Sequence, residues 1–212
     1  MRIAFATDIH ENPKIFPWLD MVAGRDIVAI GGDITNSGPS SLGFMDTFVS
    51  KGIRMVNLAS VMGNHDWSAR MTERGFLHGT TTTIKGTRIG GIGGSLPAGG
   101  CPFELDETEY QILLNRMGPC DVLLTHQPPY NTKCDVAMGG GFFPRHIGSK
   151  AIRRYIELRQ PRLGLVGHVH ESQGIDKIGN SVIVNAGAFA FGDYAEITIV
   201  GSHIHTEFRR LL

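Results

Sequence analysis

Short apolar runs alternate with amphipathic stretches over the first two-thirds of the chain. Residues 2–7, 26–30, 53–58, 121–125 and 162–166 read as strands, and 13–23, 39–50, 67–75, 106–117 and 148–160 as helices. Pro17 argues against the first helix, because a proline inside a helix removes a backbone hydrogen bond. Strands and helices in alternation imply a largely parallel sheet with helices on its faces.

Three hairpins break or follow that rhythm. Thr81–Ile84 and Thr87–Ile92 flank Lys85-Gly86, Gln173–Ile178 and Ser181–Val184 flank Gly179-Asn180, and Ala195–Val200 and His203–Phe208 flank Gly201-Ser202. Two-residue connections containing Gly or Asn suit the primed turns, which need positive φ. The tail therefore reads as antiparallel, and a mixed β-sandwich with helices outside is the natural assembly. No linker, repeat or low-complexity segment interrupts it. The glycine-rich stretches 90–100 and Met138–Gly141 read as loops.

With 212 residues the chain fits one domain, 1–212, large enough to bury a core without disulfides or a structural metal. Twenty basic and twenty acidic side chains leave a formal charge of zero. Non-specific nucleic-acid binding needs a clustered basic surface and is not expected. Cys101, Cys120 and Cys134 match neither a zinc ribbon nor C-x-x-C, and reduced thiols in a cytoplasmic protein are the expectation. The N-terminal residues show no signal peptide, and no apolar run approaches the ~20 residues of a membrane span.

Five polar clusters each follow an apolar strand: Asp8-Ile9-His10, Gly31-Gly32-Asp33, Gly63-Asn64-His65-Asp66, Thr125-His126 and Gly167-His168-Val169-His170. Ligands gather at the carboxyl ends of parallel strands, so these five ends should converge on one site. Imidazole with carboxylate selects Mn, Fe, Co, Ni or Zn over Ca or Mg alone, and no cluster holds a thiol. Alternate residues of an extended segment point the same way, so Asp8 with His10, and His168 with His170, can each supply a pair. Each cluster alone is weak. A lone H-x-H is usually incidental and Gly-Gly-Asp is usually a turn. Together, Asp8, His10, Asp33, Asn64, His126, His168 and His170 exceed what one ion needs. Two ions sharing a carboxylate, ~3.5–4 Å apart, would use them all.

The ordered set D-x-H, G-D, G-N-H-D, H and G-H-x-H resembles the calcineurin-like metallophosphoesterase family, over residues 8 to 170. Thr125–Pro129 with the G-H-x-H also resembles a narrower subgroup, the metallophosphoesterase-domain-containing phosphodiesterases. The resemblance implies a four-layer αββα sandwich of two mixed sheets flanked by helices. It also implies a site with two divalent ions. Asp8, His10, Asp33 and His170 would hold the first, Asp33 would bridge, and Asn64, His126 and His168 would complete the second. His65 would be the catalytic histidine that serves the leaving oxygen.

Two positions depart from the family pattern. Asn36 stands where many members carry an Asp that pairs with the catalytic histidine, which predicts a weaker acid at His65 and a preference for good leaving groups. Glu11 stands where many have Gly, and a solvent-facing carboxylate is the expectation. Outside the motifs, His203 and His205 fit the solvent face of a terminal strand, and His78 a loop without chemistry. Arg145-His146 precedes a helix and could reach a phosphate at its N-terminus, although a solvated loop is the simpler expectation.

These residues predict an uncapped, metal-dependent phosphoric ester hydrolase. A metal-bound hydroxide would attack a small phosphate ester, a diester in preference to a monoester. A phosphomonoesterase, a nuclease or a non-catalytic scaffold on the same fold are the alternatives.

Overall fold

Alternate residues of the first strand face two different apolar layers. Ile3 and Phe5 join one buried cluster while Ala4 and Ala6 join another, and all four are fully buried. A strand covered on both sides belongs to a sheet sandwiched between layers. The computed structural model describes residues 1–37, 41–52, 54–67, 73–138 and 143–211.

The first sheet carries β1 (Arg2–Ala6), β2 (Ile27–Ile30), β3 (Leu58–Ser60), β12 (Asp193–Val200) and β13 (His203–Arg210), in the order β13-β12-β1-β2-β3. β1, β2 and β3 run parallel, and β12 joins β1 antiparallel. The second carries β4 (Thr80–Ile84), β5 (Thr87–Ile92), β6 (Val122–Thr125), β9 (Leu163–Val166), β10 (Gly174–Ile178) and β11 (Ser181–Asn185), in the order β10-β11-β9-β6-β5-β4. Ile3, Phe5, Ile27 and Ala29 meet Val122, Leu124, Leu163 and Leu165 between the sheets. Helices α1 (Ile15–Val22) and α2 (Ser41–Gly52) cover the first sheet, and α3 (Glu107–Met117) and α4 (Lys150–Arg159) the second, giving the αββα order.

Local chemistry explains most element ends. Asp106 and Glu109 form a capping box that starts α3. Ser149 caps α4, and the Glu107 carboxylate accepts from the Ser149 hydroxyl and the Lys150 and Ala151 N–H groups. Lys85 and Gly86 both have positive φ, whereas only Gly179 and Gly201 do in the later hairpins, the type II′ requirement.

Three expectations change. Pro17 sits in the first turn of α1, where its missing N–H would have no helical partner anyway, so the helix forms. The strand expected at 53–58 begins only at Leu58, because Arg54 and Met55 still turn back onto Lys51 and Gly52. The helix expected at 67–75 falls largely outside the described residues, as does most of the Met138–Gly141 loop. The tail is not purely antiparallel, since β11 pairs parallel with β9. In addition β7 (Val136–Ala137) and β8 (Arg145–His146) form a short ribbon whose β7 lies beside the His170–Ser172 turn.

Candidate metal centre

The carboxyl ends of β1, β2 and β3 face those of β6 and β9 across the sandwich. Asp8 and His10 follow β1, Asp33 follows β2 and Asn64 lies beyond β3; His126 follows β6, and His168 and His170 lie beyond β9. Three of these loops turn sharply. Asp8, His10, Glu11, Asp33, Ser37 and His168 all have φ between 47° and 70°. Non-glycine residues rarely hold that conformation, and clusters of them mark functional sites. Asp8, His10, Asp33 and His168 thus reach the centre from left-handed turns, so neither the Asp8/His10 pair nor the His168/His170 pair lies on a simple extended segment as the alternation argument expects.

Backbone ties hold the turns together. The Asp8 N–H donates to Gly32 O and the His10 N–H to Asp33 O, and Ala190 N–H donates to Asp8 O. The His168 N–H lies 3.1 Å from both Asp8 carboxylate oxygens. A Cβ on Gly63 would stand 2.0 Å from Asp33 Oδ1, and one on Gly167 would stand 2.0 Å from Thr7 Oγ1. Here glycine is required for space.

Two potential ligand groups share Asp8. One is Asp8, His10 and His170; the other is Asp8, Asp33 and His126. His10 Nε2 lies 3.2 Å from His170 Nε2, which lies 3.3 Å from Asp8 Oδ1. Asp33 Oδ2 lies between His10 Nε2 at 3.7 Å and His126 Nε2 at 3.4 Å. Asn64 Oδ1 is 3.0 Å from His126 Nε2. His168 belongs to neither group; its ring packs edge-on against His126 with centroids 5.1 Å apart.

The donor set fits divalent cations. His10 Nδ1 donates to Asn36 Oδ1 at 2.9 Å, and His126 Nδ1 donates to Gly31 O at 2.8 Å. Both hydrogen bonds fix the tautomer that leaves Nε2 free to ligate, the usual arrangement of metal-binding histidines. Nitrogen and oxygen donors with no sulfur suit first-row ions.

The charges are tightly balanced. Burial opposes ionisation of Asp8 and Asp33, but the surrounding histidines win and hold both carboxyls below the usual range. Burial likewise opposes charge on His126, yet Asp33 beside it pushes its pKa up to about 9. Burial, aided by the charge on His126, pushes His168 down to about 4. A proton and an ion compete for the same Nε2 of His126.

His65 is half-buried, with its N–H on Asp33 Oδ1 at 2.8 Å and its ring 5.4 Å from that of His10. Its Nδ1 partner is Ser37 Oγ at 2.8 Å, whereas Asn36 serves His10. The expectation that Asn36 would replace the partner of His65 is therefore corrected, because the turn at Ser37 swings the next residue onto that ring. Glu11 is half-buried rather than simply solvent-facing, and its Oε1 is enclosed without a hydrogen-bond partner among the described residues. His146 is spent on Asp135 at 2.8 Å, and the anion at the α4 N-terminus is the chain's own Glu107, so neither Arg145 nor His146 forms a helix-end phosphate site. His203 and His205 are exposed on β13 as expected.

Several supporting residues escaped the motif analysis. Buried Thr7 donates to Asp8 Oδ2 at 2.8 Å. Cys101 Sγ accepts from Asn64 Nδ2 at 3.3 Å, which points Oδ1 inward. Asp66 accepts from the Gly63, Ile34 and Thr35 N–H groups and from the Thr35 hydroxyl, tying two ligand loops together. The G-N-H-D sequence contained the signal for Asp66 alone. The other two act across sequence neighbours with no recognisable spacing.

Comparison with known proteins places these features. The family described as calcineurin-like phosphoesterase matches residues 1–172. An uncharacterised protein of Methanocaldococcus jannaschii is 32% identical over 207 residues, covering 87% of each chain. The crystal structure of TT1561 from Thermus thermophilus superposes with a TM-score of 0.70 at 18% identity, covering 97% of each chain. The structure of an archaeal phosphodiesterase superposes with a TM-score of 0.55 at 12% identity, covering 99% of this chain and all of that one. The two structural likenesses concern the fold.

Proposed function

The chain belongs to the calcineurin-like phosphoesterase family, and from that premise we propose that it hydrolyses small phosphodiesters at a centre for two divalent ions. One observation carries the reading: Asp33 Oδ2 stands within 3.7 Å of His10 Nε2 and 3.4 Å of His126 Nε2, one from each side of the centre. A carboxylate between two imidazoles that each point Nε2 inward is arranged to bridge. Asp8, His10, Asp33 and His170 are assigned to the first ion, and Asp33, Asn64, His126 and His168 to the second. Asp8, shared by both ligand groups, is a second candidate for the bridge.

When bound, the ions would neutralise phosphoryl charge and lower the pKa of a coordinated water. The chain's own residues do the rest. Asp8 and Asp33 hold negative charge in a buried place, which the ions require. Asn36 and Gly31 orient His10 and His126. His65 lies at the edge of the cluster and would present Nε2, when protonated, to the departing oxygen, a role worth ~10²–10⁴-fold.

The diester preference rests on charge and room. A diester carries one negative charge and needs less help beyond the ions than a dianionic monoester. Arg145 and His146, the basic residues the sequence offered to a phosphate, are exposed on the ribbon, with His146 paired to Asp135. The test is kcat/KM for bis-p-nitrophenyl phosphate against p-nitrophenyl phosphate with Mn²⁺ at one pH. The diester should be preferred; a clear monoester preference would move the reading to a phosphatase.

A further inference from the structure

Two adjacent residues reach two different imidazoles. Asn36 accepts from His10 Nδ1 at 2.9 Å and returns a hydrogen bond from its Nδ2 to His10 O at 3.3 Å. Ser37 Oγ lies 2.8 Å from His65 Nδ1 and 3.0 Å from His65 O. We propose that Ser37 is the positioning residue for His65, a neutral hydroxyl that aims the ring at the leaving oxygen. This rests on the hydrolase reading given above.

The hydroxyl's single proton decides the direction of both bonds. A carbonyl oxygen can only accept, so the Ser37 O–H donates to His65 O. The lone pair of Oγ then accepts the proton on Nδ1. In the neutral ring Nε2 then holds the lone pair, so it is the atom that must take up a proton before it can pass one to the leaving oxygen. Backbone and ring of His65 are thereby fixed by one side chain, while Asp33 Oδ1 holds the N–H of the same residue at 2.8 Å. The ring stands edge-on to that of His10, with an interplanar angle of 69°.

The backbone supports a dedicated placement. Ser37 has φ +64°, a conformation that costs a non-glycine residue free energy and persists only where its surroundings impose it. That turn is what separates the two side chains, sending Asn36 to the ligand and Ser37 to the acid. A simple loop clasp from the hydroxyl to His65 O would hold the loop as well, but it would have no bearing on the chemistry of the leaving group. The two roles therefore differ in what a leaving-group comparison reads.

The deletion is best made as Ser37→Gly, because glycine accepts the positive φ without strain while the substitution removes the hydroxymethyl group. The substrates are methyl p-nitrophenyl phosphate and methyl phenyl phosphate, which differ only in the departing group. Nitrophenolate leaves with little acid assistance, whereas phenolate needs the proton. With unchanged manganese content by elemental analysis, Ser37→Gly should lower kcat on the phenyl ester roughly tenfold or more and barely change it on the nitrophenyl ester. His65→Ala should show the same discrimination more strongly, and adding Ser37→Gly to it should cost nothing further. Equal losses on both esters, or an additive loss in the double variant, would overturn the positioning role. Failure of the manganese-loaded wild type to hydrolyse either ester would overturn the hydrolase reading and this inference with it.

Discussion

Asp33 and His65 are adjacent in the centre but answer to different tests. Asp33 lies between His10 and His126, so Asp33→Ala should empty or disorder both ion positions and abolish hydrolysis together with metal content. Elemental analysis finding two ions retained would refute the bridge. His65 touches Asp33 only through its backbone N–H. His65→Ala should keep the ions and lower kcat by ~10²-fold or more on a poor leaving group, read by steady-state kinetics beside the metal assay. At this scale the sequence was most informative, since side chains of a distinctive type in a distinctive order mark a centre whatever the backbone does. What it concealed were the supports. Ser37, Thr7 and Cys101 are common residues whose roles depend on which atom a turn brings near, and Asn36 was read by its position in a pattern rather than by the turn that follows it.

The elements make a sharper distinction among glycines than among strands. Gly167 has no positive φ, yet a Cβ there would meet Thr7 Oγ1 at 2.0 Å and Asp8 Oδ2 at 2.8 Å. Gly167→Ala should therefore lower both metal content and Tm, because it wedges β9 away from the Asp8 turn. Gly43, within α2, has open space around its Cβ position. Gly43→Ala should leave metal content untouched and stabilise the fold by ~0.5–1 kcal/mol in thermal melts, through helix propensity alone. Hairpins and the long buried strands were legible because turn chemistry and unbroken apolar runs are local signals. The three residues of β3 were not, since the chain was still unwinding from α2 where the apolar run began. The β7 strand of the short ribbon lies beside the His170 turn, a neighbour distant in sequence that no local pattern encodes.

For the molecule as a whole, the balance of charge at the junction of the two sheets couples folding to pH. His126, raised to about 9, binds a proton in the folded chain more tightly than in the unfolded one, where histidine titrates near ~6.5. Its contribution is complete below that value and is lost as pH rises towards 9. His168, lowered to about 4, has the opposite sign: its contribution is present above ~6.5 and is lost as pH falls towards 4. Asp8 and Asp33, both held low, also weaken the fold on acidification. Asp66, raised to about 6 by burial and by Asp33, has the opposite sign and offsets that acid-side loss, so the chelator-treated protein should have its maximum in the acid half of the range and lose Tm as pH rises from ~6.5 towards 9, measured by thermal melts from pH 5 to 9. A monotonic rise across that range would contradict the balance. Added Mn²⁺ should move the maximum upward, because ligation requires the histidines to be deprotonated.

The central claim is that these turns hold two ions. An anomalous difference map from a crystal of the protein grown with Mn²⁺ tests it most directly. Two peaks ~3.5–4 Å apart should flank Asp33, one beside His10 and His170 and the other beside Asn64 and His126. A single peak, or two peaks too far apart to share a carboxylate, would contradict the account.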